Sequence, residues 1–124
     1  MNSPAHELSL LLTAALSETV YTASEPDTPD DVVTIYDTGG TGPDTNELSP
    51  IDATFQVRVR NTSYPNAYAK HMAVRDELIY TFPKVGATST FWEIEATDEP
   101  FPLGRDDSNR FILVANYRCR RSEN

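Results

Sequence analysis

The chain has 124 residues, 39% of them hydrophobic and 23% charged, with a formal net charge of −9. That length suits one domain (1–124) with its own core rather than two. The acidic balance argues against gripping nucleic-acid phosphates, and a lone cysteine, Cys119, excludes an internal disulfide and any need for an oxidising compartment.

The charge is unevenly spread. Residues 1–57 carry ten acids and no Lys or Arg; residues 58–124 carry nine acids and ten bases. The plain reading is a solvated acidic surface, and the sharper one is a surface that DNA slides past without sticking. The sequon-like Asn61-Thr62-Ser63 carries no weight without a secretory context. The apolar Leu10–Leu12 run lacks the basic flank and length of a secretion signal. No stretch approaches bilayer-crossing length, so the expectation is a soluble chain made in the cytoplasm, with no membrane partner.

In chain order, Ser3-Pro4 opens a helix, with Ser as N-cap and Pro at the first helical position. Ala5, Leu8, Leu12 and Ala15 share one face, widened by Leu11 and Leu16, and the helix fades near Glu18–Val20. Residues 22–31 are polar, broken by two prolines, and read as a loop. Val32–Tyr36 is a β-branched and aromatic strand; residues 37–51 form a long Gly/Pro/Asp-rich connection. Ala53–Arg60 alternates Phe55, Val57 and Val59 with Gln56, Arg58 and Arg60, giving one buried and one wet face.

Ser63 caps a second helix over 64–80, with Tyr64, Tyr68, Met72, Leu78 and Ile79 expected near its buried face and Pro83 ending it. Phe91–Thr97 sets Trp92, Ile94 and Ala96 against Glu93 and Glu95, and 98–110 reads as a turn. Phe111–Arg120 alternates Phe111, Leu113, Ala115, Tyr117 and Cys119 with Ile112, Val114, Asn116, Arg118 and Arg120. The order α-β-β-α-β-β predicts an α+β fold: a four-stranded, mostly antiparallel sheet with both helices on one face. Arg58, Arg60, Glu93, Glu95, Arg118 and Arg120 fall on the other face, as opposite charges suited to cross-strand pairing. Ile112 and Val114 point the same way, so part of that face is expected to be covered, with a neighbouring subunit as one candidate.

The segment VTIYDTGG raises a catalytic reading, because Asp37-Thr38-Gly39 after a strand resembles the loop of aspartic peptidases. Leu103-Gly104-Arg105-Asp106 adds a second retroviral-peptidase-like segment, and a homodimer would pair two aspartates sharing a proton. Against it stand two helices, one between the motifs, and a long strand where that peptidase has a helix. Gly39-Gly40-Thr41-Gly42 has no following Lys and acids on both sides, so it does not read as a phosphate cradle. His6 and His71 are far apart in sequence, and Asp106, Asp107 and Asn109 lack calcium-loop spacing. No nucleophile has an evident base. The residues point to no catalytic set, metal or cofactor.

Three segments in order, VTIYDTGG (33–40), FQVRVRNTSYPNAYAKHMAVRDEL (55–78) and LGRDDSNRFILVANYRCRR (103–121), resemble the minor capsid proteins of long-tailed bacteriophages. These are tail terminators or neck components encoded among head-to-tail joining genes. The match departs from that family in 41–52, in 83–90 and at Thr97–Pro100. The resemblance implies a small structural virion protein that forms a six-fold ring, caps the tail tube and joins it to the head connector. Its partners would be itself, the tube protein and connector or neck proteins, with DNA passing through. A head-completion protein on the head side of the connector is the alternative. The expected contact residues are Asp37, Thr38, Gly39, Gly40, Arg58, Arg60, Leu103, Gly104, Arg105, Asp106, Ile112 and Val114.

Overall fold

A computed structural model describes residues 1–41 and 50–124. The Gly/Pro/Asp-rich connection 37–51 therefore lies partly outside the described residues. Helix α1 (Pro4–Leu16) starts as the sequence dictates: Ser3 Oγ accepts from His6 N at 3.2 Å, with Pro4 just inside the cap. Strand β1 (Val20–Thr22) follows, then β2 (Val32–Gly39), β3 (Ile51–Asn61), helix α2 (Tyr64–Ile79), β4 (Lys84–Val85), β5 (Ser89–Ala96), β6 (Phe101–Arg105) and β7 (Phe111–Glu123).

The strands form one mixed sheet in the order β1-β2-β3-β7-β5-β4. Strand β7 organises it. One edge pairs with β3 along eleven residues, while the other is shared between β5 at its C-terminal half and β6 at its N-terminal end. All pairings are antiparallel except β1 with β2.

This corrects the four-stranded expectation. The four long strands are present, and β1, β4 and β6 join them. Each has two to five residues, too few to show a period. Moreover, β6 carries Pro102 and Gly104, which read as turn residues.

Both helices cover the same sheet face, as expected. Ala5, Leu8 and Leu12 of α1 and Ala67, Val74 and Leu78 of α2 bury against Ile35, Phe55, Val57, Leu113, Ala115 and Tyr117. Phe55 and Tyr117, paired across β3 and β7, stack with ring centroids 5.2 Å apart. Each such fully buried large side chain stabilises the fold by about 1.5–3 kcal/mol.

Three facing assignments need correction. In α2 the buried stripe is Ala67, His71, Val74 and Leu78; Tyr64 and Tyr68 are exposed and Met72 half-buried. A small Ala and a polar His disguise the true stripe, which follows helical spacing (i, i+4, i+7, i+11). In β5 the register shifts between Phe91 and Glu93, so Phe91 points into the core and Trp92 is turned out to donate to Ser122 Oγ at 2.8 Å. Ala15, placed on the buried face of α1, is exposed.

Candidate functional site

The sheet's second face divides into an open half and a covered half. In the open half the expected pairing of Arg118 with Glu95 forms, whereas Arg120 Nε pairs at 3.0 Å with Asp52, which was not among the expected partners. The hydrogen bond from Arg120 holds the Asp52 carboxyl below its ordinary range. Under this half lies Cys119, whose thiol burial pushes up to about 11, leaving it unreactive at neutral pH.

The covered half holds Thr34, Arg60, Ile112 and Val114, all buried. Its cover is this chain's own segment 23–31. The Arg60 guanidinium donates to the carbonyls of Pro26 (2.5 Å), Pro29 (2.8 Å) and Asp30 (3.0 Å), and Thr34 Oγ1 donates to Ser24 O at 2.9 Å. Arg58 Nε pairs with Glu25 at 2.5 Å. Arg110 donates to Asp27 O at 2.7 Å, to the Asp27 and Asp30 carboxylates, and to Asp106 at 2.8 Å. Thus Arg58, Arg60, Ile112 and Val114, expected to meet a neighbour, are engaged within the chain. A loop that reads as irregular in sequence is a fixed strap, because two guanidiniums satisfy the carbonyls that no strand partner reaches.

Asp37 lies at the end of β2, where its Oδ1 accepts from Ala5 N at 2.9 Å. It is a second cap on the N-terminus of α1, favoured there by the partial positive charge of the helix end. Thr38 Oγ1 donates to Thr54 Oγ1 at 2.8 Å across to β3. Gly39 sits where the β2–β3 register shifts, at φ +97°. Gly40 has φ +129°, and a Cβ there would stand 2.6 Å from Ala53 Cα, so only glycine fits. Asp-Thr-Gly here ends a strand and anchors a helix.

Leu103-Gly104-Arg105-Asp106 is held elsewhere. Gly39 pairs with Thr54, which faces Arg118, whereas Gly104 pairs with Ile112. Six residues of β7 separate those levels, about 20 Å along the strand. The two peptidase-like motifs are therefore not brought together.

Leu103 and Arg105 belong to a hairpin whose first strand, β6, is exposed throughout. Asp106 organises its turn, accepting from Ser108 N (3.0 Å), Arg110 N (2.9 Å) and Arg110 Nε (2.8 Å). The backbone hydrogen bond from Arg110, aided by its guanidinium, holds the Asp106 carboxyl below its ordinary range. Arg105 lies over the Phe111 ring at 4.4 Å and donates to Asn109 Oδ1 at 2.8 Å.

Two buried titratable groups escaped the sequence reading. Glu7 accepts from Ala87 N (2.9 Å), Thr88 N (2.7 Å), Thr88 Oγ1 (2.5 Å) and Ser89 Oγ (3.2 Å). Burial alone would raise its pKa, but the hydrogen bonds from Thr88, Ala87 and Ser89 outweigh that and leave it lowered. Gly86 permits the contact, since a Cβ there would stand 2.9 Å from Glu7 Oε2. His71 Nε2 lies 2.8 Å from Leu113 O; a carbonyl only accepts, so Nε2 carries the proton. Burial lowers the His71 pKa and keeps the ring neutral. No sequence signal marks either group, because Glu7 binds partners some eighty residues away and His71 sits on an apolar stripe.

Among the described residues, the sequence-derived candidates form no catalytic constellation. They cap a helix, lock a strap and shape a hairpin of a small α+β domain. The chain belongs to the bacteriophage tail terminator protein family, whose model matches residues 8–123. No curated protein matches it in sequence. Among solved structures, a chain from the virion of a native gene transfer agent particle shares its fold, with a TM-score of 0.63 at 18% identity over 92% of this chain and 85% of that one.

Proposed function

We propose that this protein is a one-domain structural component of the phage neck: a tail terminator that forms a six-fold ring, caps the tail tube and joins it to the head connector. It is made in the host cytoplasm, incorporated in the virion, and acts without catalysis or cofactor. The family match over residues 8–123 carries this reading. The likeness to a chain of a phage-like virion particle agrees with it through the fold.

The charge distribution supports the passage of DNA. Of the ten cations, Arg58, Lys70, Arg75, Arg110, Arg118 and Arg120 lie within ion-pair distance of carboxylates. Arg60 and Arg121 donate to backbone carbonyls. Most positive charge is thus committed inside the subunit, while residues 1–57 carry ten acids and no Lys or Arg. Lining a channel, those acids would repel DNA phosphates and let the genome pass.

The test is a tube-length assay: adding the protein to polymerising tail tube protein should arrest growth and leave ends capped by a ring. Unchanged elongation, with the protein instead bound to the connector alone, would favour a head-completion role. Acids of 1–57 lying wholly on the outer wall of the ring would contradict the channel assignment.

A further inference from the structure

Two surface features stand out among the described residues. The first is a groove between α1 and β4 of about 200 Å³, with the buried Leu8, Leu12 and Leu78 as its floor and Leu11, Ala15 and Val85 at its rim. It is smaller than the roughly 300–1,000 Å³ typical of small-ligand pockets, so it suits a side chain better than a metabolite. Glu77 and Lys84 stand beside it. The second is strand β6, where Phe101 and Leu103 are 38% and 55% exposed.

We propose that the β6–β7 hairpin of one copy docks into the α1–β4 groove of the next, with Leu103 entering the groove and Arg105 facing Glu77. This rests on the ring reading and names the contact that closes the ring.

Charge complementarity identifies the occupant. Among the described residues, Lys84 and Arg105 are the cations with neither a carboxylate at ion-pair distance nor a backbone carbonyl as acceptor. One stands beside the groove and the other on the hairpin. Each is accompanied by an exposed acid, Glu77 at the groove and Asp107 on the hairpin turn. A docked hairpin pairs Arg105 with Glu77 and Asp107 with Lys84.

Placement makes the contact intermolecular. Phe111, at the hairpin base, packs edge-on against Tyr64 in the first turn of α2, while Glu77 and Leu78 lie in its last turn. Thirteen residues of helix put about 20 Å between them, so one subunit cannot fill its own groove. Two different patches at opposite ends are what a head-to-tail contact requires.

The hairpin is also set for binding before contact. Asp106 fixes its turn, and Arg105 is held over Phe111 and bonded to Asn109, so docking loses little side-chain entropy. Strand addition at the β6 edge is disfavoured, because Pro102 lacks an N–H and the register shifts between Pro102 and Gly104. Recognition therefore runs through side chains.

The experiment mixes two full-length variants, Leu103→Cys and Val85→Cys, under mild oxidation. Both positions are exposed, and the native Cys119 is buried. The expected result is roughly ten-fold more mixed than like disulfide dimer. The doubly substituted chain should give a ladder ending at a closed ring. Arg105→Glu should suppress mixed crosslinking about ten-fold, and Glu77→Arg on the partner should restore it. Equal like and mixed products, or no effect of Arg105→Glu, overturn the docking contact even if the wild-type protein forms rings. A mixed preference whose ladder stops at a dimer keeps the contact and removes the ring.

Discussion

The 23–31 strap and the β6 strand reverse what their regularity suggests. The strap has no repeating structure, yet its carbonyls are bound by Arg60 and Arg110 and it seals half of a sheet face. Strand β6 is regular and hydrogen-bonded to β7, yet all its residues are exposed. Secondary structure says how backbone groups are satisfied locally. Whether a segment belongs to the framework or to the working surface depends on what buried groups of the rest of the chain bind it.

That contrast predicts opposite phenotypes. The largest effect is expected from Arg60→Met, which removes the buried guanidinium that donates to the carbonyls of Pro26, Pro29 and Asp30. Stability should fall by about 3 kcal/mol in urea denaturation, and limited proteolysis should begin cutting within 23–31. Unchanged cleavage would show that the strap is held by something other than Arg60.

Glu7→Gln should cost about 2 kcal/mol near neutral pH, because an amide cannot accept all four hydrogen bonds. The pH dependence follows from linkage. Glu7 has a folded pKa lowered from 4.5, so its contribution is complete above that value and is lost as pH falls below it toward the folded pKa. The wild-type and Glu7→Gln stability curves should therefore converge in acid, and parallel curves would refute the assignment.

His71 gives a separate, earlier step. Its folded pKa is lowered from 6.5, so the unfolded chain binds a proton first and stability declines as pH drops below 6.5. His71→Gln retains a donor for Leu113 O and should abolish this decline while lowering stability at pH 8 by about 1 kcal/mol. A decline persisting in the variant would place the titration on another group.

The smallest effect on folding should come from β6. Leu103→Ser, at an exposed position, should shift stability by no more than about 0.5 kcal/mol, while self-association measured by sedimentation is lost. A large stability loss would make β6 part of the framework and erase the contrast with the strap.

The sequence shows the parts of this molecule that follow a period or a cap. Ser3 and Ser63 mark both helix starts, and the alternation through Phe55–Val59 and Leu113–Cys119 marks the central strands and their buried face. The three motifs that resemble phage neck proteins identify the family that residues 8–123 match. Hidden from it are features made by distant partners. Arg60 alternates like a surface residue, and only the strap's carbonyls bury it. Trp92 follows the alternation of β5 until a register shift turns it out. Asp37 carries a catalytic motif's spelling, but its meaning lies in Ala5 N, thirty-two residues earlier.

The central claim is positional, and imaging the assembled particle by cryo-electron microscopy tests it most directly. The account predicts this chain as a six-fold ring at the head-proximal end of the tail tube, with the β6–β7 hairpin of each copy reaching its neighbour. Finding the chain on the head side of the connector, or away from the tail axis, would contradict it.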